Sequence, residues 1–151
     1  MSARIKVVVL GGSGFVGRGL LAELANDSRF VITSLSRSGG NSELQRKFPQ
    51  VKWLQVDLQR PAEAWLNQVV QADWIIDLIG VLFAKNQDAY RKLTLTPLLP
   101  LIKQLGSAGQ TRFLFASANR APFFLKNYLV VKKEMEKLLR SKLGQRAVLL
   151  Y

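Results

Sequence analysis

Apolar residues along the chain fall into short β-branched runs separated by longer stretches with helical spacing. Ile5–Leu10 (IKVVVL) predicts a strand buried on both faces, and Phe15–Leu24 predicts a helix with Leu20, Leu21 and Leu24 on one side. Further strands are predicted at Phe30–Ser36, Val51–Val56, Trp74–Ile79, Arg112–Ala116 and Arg146–Tyr151. Helices are predicted at Ser42–Phe48, at Pro61–Gln71 with proline in a favourable first-turn position, and at Lys126–Leu143 closed by Gly144. Asp88 to Leu105 has helical spacing but carries Pro97 and Pro100, which predicts a kink or two shorter helices. Strands alternating with helices imply an α/β fold: a doubly wound parallel sheet of about six strands with helices on both faces, filling residues 1–151.

The most informative segment joins the first strand to the first helix. It reads Gly11-Gly12-Ser13-Gly14-Phe15-Val16-Gly17, a G-x-x-G-x-x-G spacing. In this context Gly11 makes the tight turn, Gly14 lets a backbone approach a pyrophosphate, and Gly17 lets the helix pack closely on the sheet. The free N–H groups of the helix N-terminus, with Ser13, Phe15 and Val16 around them, then face the phosphates. At the end of the second strand, Ser36-Arg37-Ser38 places a cation where an NAD binder would carry a carboxylate. A guanidinium there suits a 2′-phosphate and favours NADP(H) over NAD(H), with the serine hydroxyls assisting.

This loop resembles that of the short-chain dehydrogenase/reductase superfamily, in its extended and atypical branches: the NAD(P)-dependent epimerases, dehydratases and NAD(P)H-binding relatives. The resemblance runs from the first strand to the last. It implies a Rossmann fold in which Asp57 contacts the adenine, Leu58 lines its pocket, and Asp77-Leu78-Ile79-Gly80 passes beneath the ribose, with Gly80 suited to a close backbone approach. Asp57 is equally suited to capping the helix that follows it.

The resemblance also draws attention to Tyr128-x-x-x-Lys132. On a helix these side chains lie one turn apart on the same face. A neighbouring ammonium would lower the phenol pKa from about 10, so that Tyr128 could give or take the substrate proton during hydride transfer. In the family's scheme Lys132 also holds the nicotinamide ribose. Ser117, just past the fifth strand, stands near the family's third catalytic position, but it is followed by Ala118 where many relatives have a second serine. Alternation on a strand would turn Ser117 away from the substrate, unless Asn119 or a bulge restores a donor. The helical asparagine of the family is replaced, with Thr94 at about that place. Two readings stand: an NADP(H)-binding oxidoreductase or sugar-nucleotide epimerase/dehydratase-type domain using the Tyr128–Lys132 pair, and a non-catalytic dinucleotide-binding module acting as a redox sensor or complex component.

Composition narrows the chemistry. The 151 residues include no cysteine and no histidine, which excludes disulfides, thiol nucleophiles, Cys/His zinc sites and imidazole catalysis; no carboxylate cluster suggests a metal. The net charge is +12, and residues 76–151 hold 13 bases against 4 acids. Nine bases fall between Arg112 and Arg146, but no nucleic-acid-binding signature accompanies them, so a solvated helix face is the expectation and nucleic acid is not an expected partner. The expected partners are the dinucleotide and an unidentified small-molecule substrate, and a homo-oligomer is compatible with the sequence. There is no 18-residue apolar run and no secretory layout at the N-terminus, which points to the cytoplasm. The family's C-terminal substrate lobe has no counterpart here, since the sequence stops inside its sixth strand. The expectation is therefore an N-terminal portion of a longer protein.

Overall fold

The computed structural model describes residues 2–60, 63, 65–107 and 109–151. Among these, six strands form one sheet: β1 (Ile5–Leu10), β2 (Phe30–Ser36), β3 (Lys52–Gln55), β4 (Trp74–Asp77), β5 (Arg112–Ala116) and β6 (Ala147–Leu150), in the order β3-β2-β1-β4-β5-β6. Every pairing is parallel. This is the Rossmann order, and it confirms the doubly wound sheet expected from the alternation of runs.

β1 lies in the middle because its residues are apolar on both sides. Val8 and Leu10 join a core with Ile75, Phe113, Phe115, Met135 and Leu139, while Val7 and Val9 pack on the opposite face with Leu21, Ile32 and Leu44. The first core is covered by α5 (Leu99–Ser107) and α6 (Lys126–Leu143), the second by α1 (Phe15–Leu24) and α2 (Ser42–Lys47). Asn41 starts α2 by accepting a hydrogen bond from Leu44 N at 2.9 Å. The tryptophans pack as their sequence context suggests: Trp65 is 1% exposed in the larger core, and Trp53 and Trp74 lie against the smaller one.

Two helical expectations change. The predicted helix at Pro61–Gln71 appears as α3, Leu66–Val69; its expected start at Pro61 lies outside the described residues. The kinked stretch resolves into four pieces: α4 (Gln87–Tyr90), a π-helical turn at Arg91–Leu95, a 3-10 turn at Thr96–Leu98, and α5. Pro97 and Pro100 each remove an N–H from the i→i−4 ladder, and the backbone widens before them and tightens through them. Tyr90 Oη anchors the front of this segment by donating to Leu82 O at 2.6 Å. No described helix is long and apolar enough to cross a membrane.

Candidate functional site

β1 and β4 are neighbours, yet the chain leaves them toward opposite ends of the sheet. The crevice beyond their C-terminal ends is the topological switch point, where open α/β sheets bind ligands. The glycine loop sits in it. Gly11 has φ +86°, which only glycine adopts without strain, and its N–H donates to Leu35 O at 2.8 Å. Gly17 is needed for a different reason. A Cβ there would lie 2.5 Å from Gly11 O and 2.6 Å from Gly12 Cα, so α1 can meet the loop only with no side chain at that turn. Gly12, to which the sequence pattern assigned no role, is equally constrained, because a Cβ on it would collide with the buried Ser34 hydroxyl on β2. Gly14 is open above. It caps α1 with no side-chain hydrogen bond, leaving the first-turn N–H groups and the positive end of the dipole facing the crevice.

From this loop a cleft of about 660 Å³ runs toward β2 and β3. Nine of the residues singled out from sequence line it: Gly11, Ser13, Gly14, Ser36, Arg37, Ser38, Leu58, Ile79 and Gly80. Leu78 lines it too, from the stretch expected beneath the ribose, whereas sequence reasoning missed Leu35, Val56, Gln59, Val81 and Leu93. An apolar residue just before the singled-out Asp57 was the available signal for Val56. Leu93 had none, since it reaches the cleft through the π-helical turn. Ser38 Oγ and Ser13 Oγ are 3.4 Å apart, and Arg18 Nε donates to Ser13 O at 2.9 Å, closing the loop over the cleft's near end. Arg37 is exposed and makes no side-chain hydrogen bond or ion pair among the described residues.

Four of the expected cofactor residues lie outside the cleft wall. Gly17 is buried beneath it, while Phe15 (95% exposed) and Val16 stand on the outer turn of α1. Asp57 secures its own turn instead. Its Oδ1 accepts from Gln59 N at 3.0 Å, and Oδ2 lies 3.7 Å from Arg60 Nε.

The Tyr128–Lys132 pair occupies the other side of the crevice, near the C-terminal end of β5. Lys132 Nζ lies 5.5 Å from the Tyr128 ring centroid and 4.5 Å from that of Phe115, and donates to Ala116 O at 2.7 Å. Lys132 is 7% exposed, and burial holds its ammonium below the usual lysine pKa. Tyr128 packs edge-on against Tyr90, with centroids 6.1 Å apart. Burial, with Tyr90 adding to it, pushes the Tyr128 phenol above its ordinary value. The expectation of a lowered phenol is therefore corrected for the chain by itself: burial and the neighbouring Tyr90 set the direction, and the Lys132 ammonium is bound to a carbonyl instead.

Ser117 is drawn elsewhere. Its hydroxyl donates to Glu136 Oε1 on α6, two helical turns beyond Tyr128. Glu136 also accepts from Lys133 Nζ at 3.0 Å and Tyr151 Oη at 3.2 Å. Burial works to raise Glu136, but these three hydrogen bonds prevail and hold its carboxyl below the usual range. Thr94 Oγ1 donates to Tyr90 O at 2.6 Å, within its own helical segment.

The glycine loop and the switch-point cleft agree with a family match. Residues 7–121 match the model of the NAD dependent epimerase/dehydratase family. The chain belongs to this family. Solved structures share its fold at low identity. UDP-glucuronic acid 4-epimerase from Bacillus cereus, in complex with NAD, has a TM-score of 0.73 at 16% identity, over 96% of this chain and 55% of that one. Uronate dehydrogenase from Agrobacterium tumefaciens gives 0.71 at 21%, over 95% and 59%. The Bordetella bronchiseptica enzyme WbmG, in complex with NAD, gives 0.73 at 14%, over 98% and 53%. The present chain thus spans little more than half the length of these solved structures.

Proposed function

We propose that this epimerase/dehydratase-family chain binds NADP(H) in preference to NAD(H) and serves an oxidoreductase or sugar-nucleotide epimerase/dehydratase-type reaction, with Tyr128 as acid/base. The observation that carries the reading is the uncapped N-terminus of α1 opening into a cleft walled by Arg37. NAD in the related structures supports a dinucleotide; the preference for a 2′-phosphate rests on Arg37 of this chain.

The residues present fit such a ligand. Backbone N–H groups of the first α1 turn, at Phe15 and Val16, would receive the pyrophosphate, since no side chain caps them; the Gly14 N–H is already held by Gly11 O. The Arg37 guanidinium would pair with the 2′-phosphate, helped by Ser38; Ser36 Oγ donates to Gly39 O at 3.1 Å and shapes the turn. Val56, Leu58 and Ile79 offer apolar surface to the adenine, and Gly80 leaves room for the ribose. When bound, the nicotinamide gives or accepts a hydride. Tyr128 Oη would hold or deliver the matching proton. Lys132, with one of its three N–H groups on Ala116 O, keeps two for a sugar hydroxyl. Ser117 joins as a third donor only by exchanging Glu136 for the substrate oxygen.

That Ser117–Glu136 bond and the raised Tyr128 phenol favour a second reading, a dinucleotide-binding module with little turnover that acts as a redox sensor or complex component. Fluorescence titration with NADPH and NADH tests the shared premise. NADPH should bind about tenfold more tightly, and Arg37→Glu should abolish the difference, because one charge-assisted contact is worth about 1.5–3 kcal/mol. Binding of neither ligand ends both readings; equal affinities unchanged by Arg37→Glu end the 2′-phosphate assignment. Tyr128→Phe, with dinucleotide binding intact, should lower any turnover by about 10²–10⁴-fold.

A further inference from the structure

We propose that Asp77 is the counter-ion that holds Lys132 as an ammonium beneath the site, and thereby a positioning residue for the Tyr128–Lys132 pair. The role rests on the catalytic reading of that pair; the ionic coupling itself does not.

Asp77 ends β4, and its Cα partners are Leu10 on β1 and Phe115 on β5. Paired positions on neighbouring strands share a face, and so do alternate residues on one strand. Asp77 therefore points to the same side as Ile75 and Phe115, into the core covered by α6. It is 2% exposed. Its Oδ1 accepts from Ile79 N at 3.0 Å, and Oδ2 makes no hydrogen bond among the described residues. A carboxylate left this way in an apolar core is costly unless a cation approaches it.

Lys132 is the cation we assign to it, acting through space, since the two side chains make no direct ion pair or hydrogen bond among the described residues. Its side chain descends from α6 onto the same corner, with Nζ 4.5 Å from the ring centroid of Phe115, the β5 neighbour of Asp77. One N–H goes to Ala116 O. The groups in contact with the ammonium are few: Phe115 and Ala116 O from β5 and Tyr128 from its own helix, with Tyr90 of α4 behind Tyr128; Asp77 of β4 and Glu136 of α6 act on it as charges from further away. β1 contributes the apolar Leu10. Glu136 is already engaged by Ser117, Lys133 and Tyr151, which leaves Asp77 as the carboxylate with an oxygen to spare. The charges respond accordingly. Burial pushes Asp77 up to about 7 while the Ile79 N–H and Lys132 oppose it, and burial lowers Lys132 while Asp77 and then Glu136 oppose that. Without the carboxylate, desolvation of the ammonium would be opposed by Glu136 alone, and the Lys132 charge would be held less firmly beside Tyr128.

Asp77→Asn isolates the charge, because asparagine keeps the volume and an oxygen to accept from Ile79 N. In the full chain labelled with 13C at the lysine ε-carbons, the Lys132 resonance is identified by its loss in Lys132→Arg and followed against pH. Its titration midpoint should fall by about one pH unit or more in Asp77→Asn. An unmoved or rising midpoint overturns the assignment. Should Asp77→Asn not fold, the reciprocal measurement decides: the Asp77 carboxyl 13C midpoint should rise in Lys132→Met, and an unchanged midpoint overturns the assignment. NADPH titration of the unmodified chain separates this from the proposed function. Failure to bind ends the catalytic reading and leaves the coupling standing, whereas binding without the coupling ends only the role of Asp77.

Discussion

The two halves of the crevice are built differently. On the glycine-loop side the working surface is largely backbone: Gly11, Gly12 and Gly17 let strand and helix meet at contact distance, and the uncapped first turn of α1 presents main-chain N–H groups beside the cleft that Arg37 walls. On the β5–α6 side the surface is made of side chains held by one another, Lys132 on Ala116 O, Ser117 on Glu136, Tyr128 on Tyr90. A backbone site is complete once its local fold forms and fails when a Cβ is added. A side-chain site depends on charges and fails by degrees as pH, salt or single partners change.

The largest test of this contrast is Gly17→Ala. With backbone atoms at 2.5–2.7 Å from the added carbon, α1 must shift, and about 3 kcal/mol of stability should be lost together with dinucleotide affinity. Urea unfolding should show a lower midpoint with an unchanged slope, and an unaltered midpoint would mean that the loop yields more easily than the contacts imply.

On the opposite side, Glu136→Gln should cost about 1–2 kcal/mol at neutral pH, where its carboxylate accepts from Ser117, Lys133 and Tyr151. Because the folded protein holds Glu136 below the usual 4.5, that stabilisation is present above pH 4.5 and is lost as pH falls through the depressed folded value. Denaturation curves of the two proteins should therefore converge in acid. A gap that is constant with pH would assign the loss to packing rather than charge.

Glu134→Gln should have the smallest effect. Arg91 reaches Glu134 with two N–H groups at 2.6 and 2.7 Å, tying the π-helical turn to α6, but both side chains remain more than a third exposed. Less than about 1 kcal/mol should be lost at low salt, and less still at 1 M. A loss as large as that of Glu136→Gln would erase the distinction between the buried and the exposed ties on α6.

How much was legible in the sequence follows the same division. β1, β2, β5, α1 and α6 have the bounds their periodicity suggested, because each is a long run with one clear period. The glycine loop was readable because its meaning lies within seven residues. The segment from Asp88 to Leu105 announced its prolines but not the π-helical turn, since the backbone chooses how to absorb two missing donors only when packed against α6. Ser117 read as a possible third donor. Its capture by Glu136, 19 residues later, follows from how α6 crosses the end of β5, and no local pattern encodes that.

The sequence by itself determined the order of elements, the glycine turn and the one-turn spacing of Tyr128 and Lys132, because each depends on neighbours within a few residues. The tertiary structure alone decided which polar groups became partners. Lys132 and Ala116, like Ser117 and Glu136, come from elements that meet only when β5 and α6 pack, and no spacing along the chain encodes those contacts.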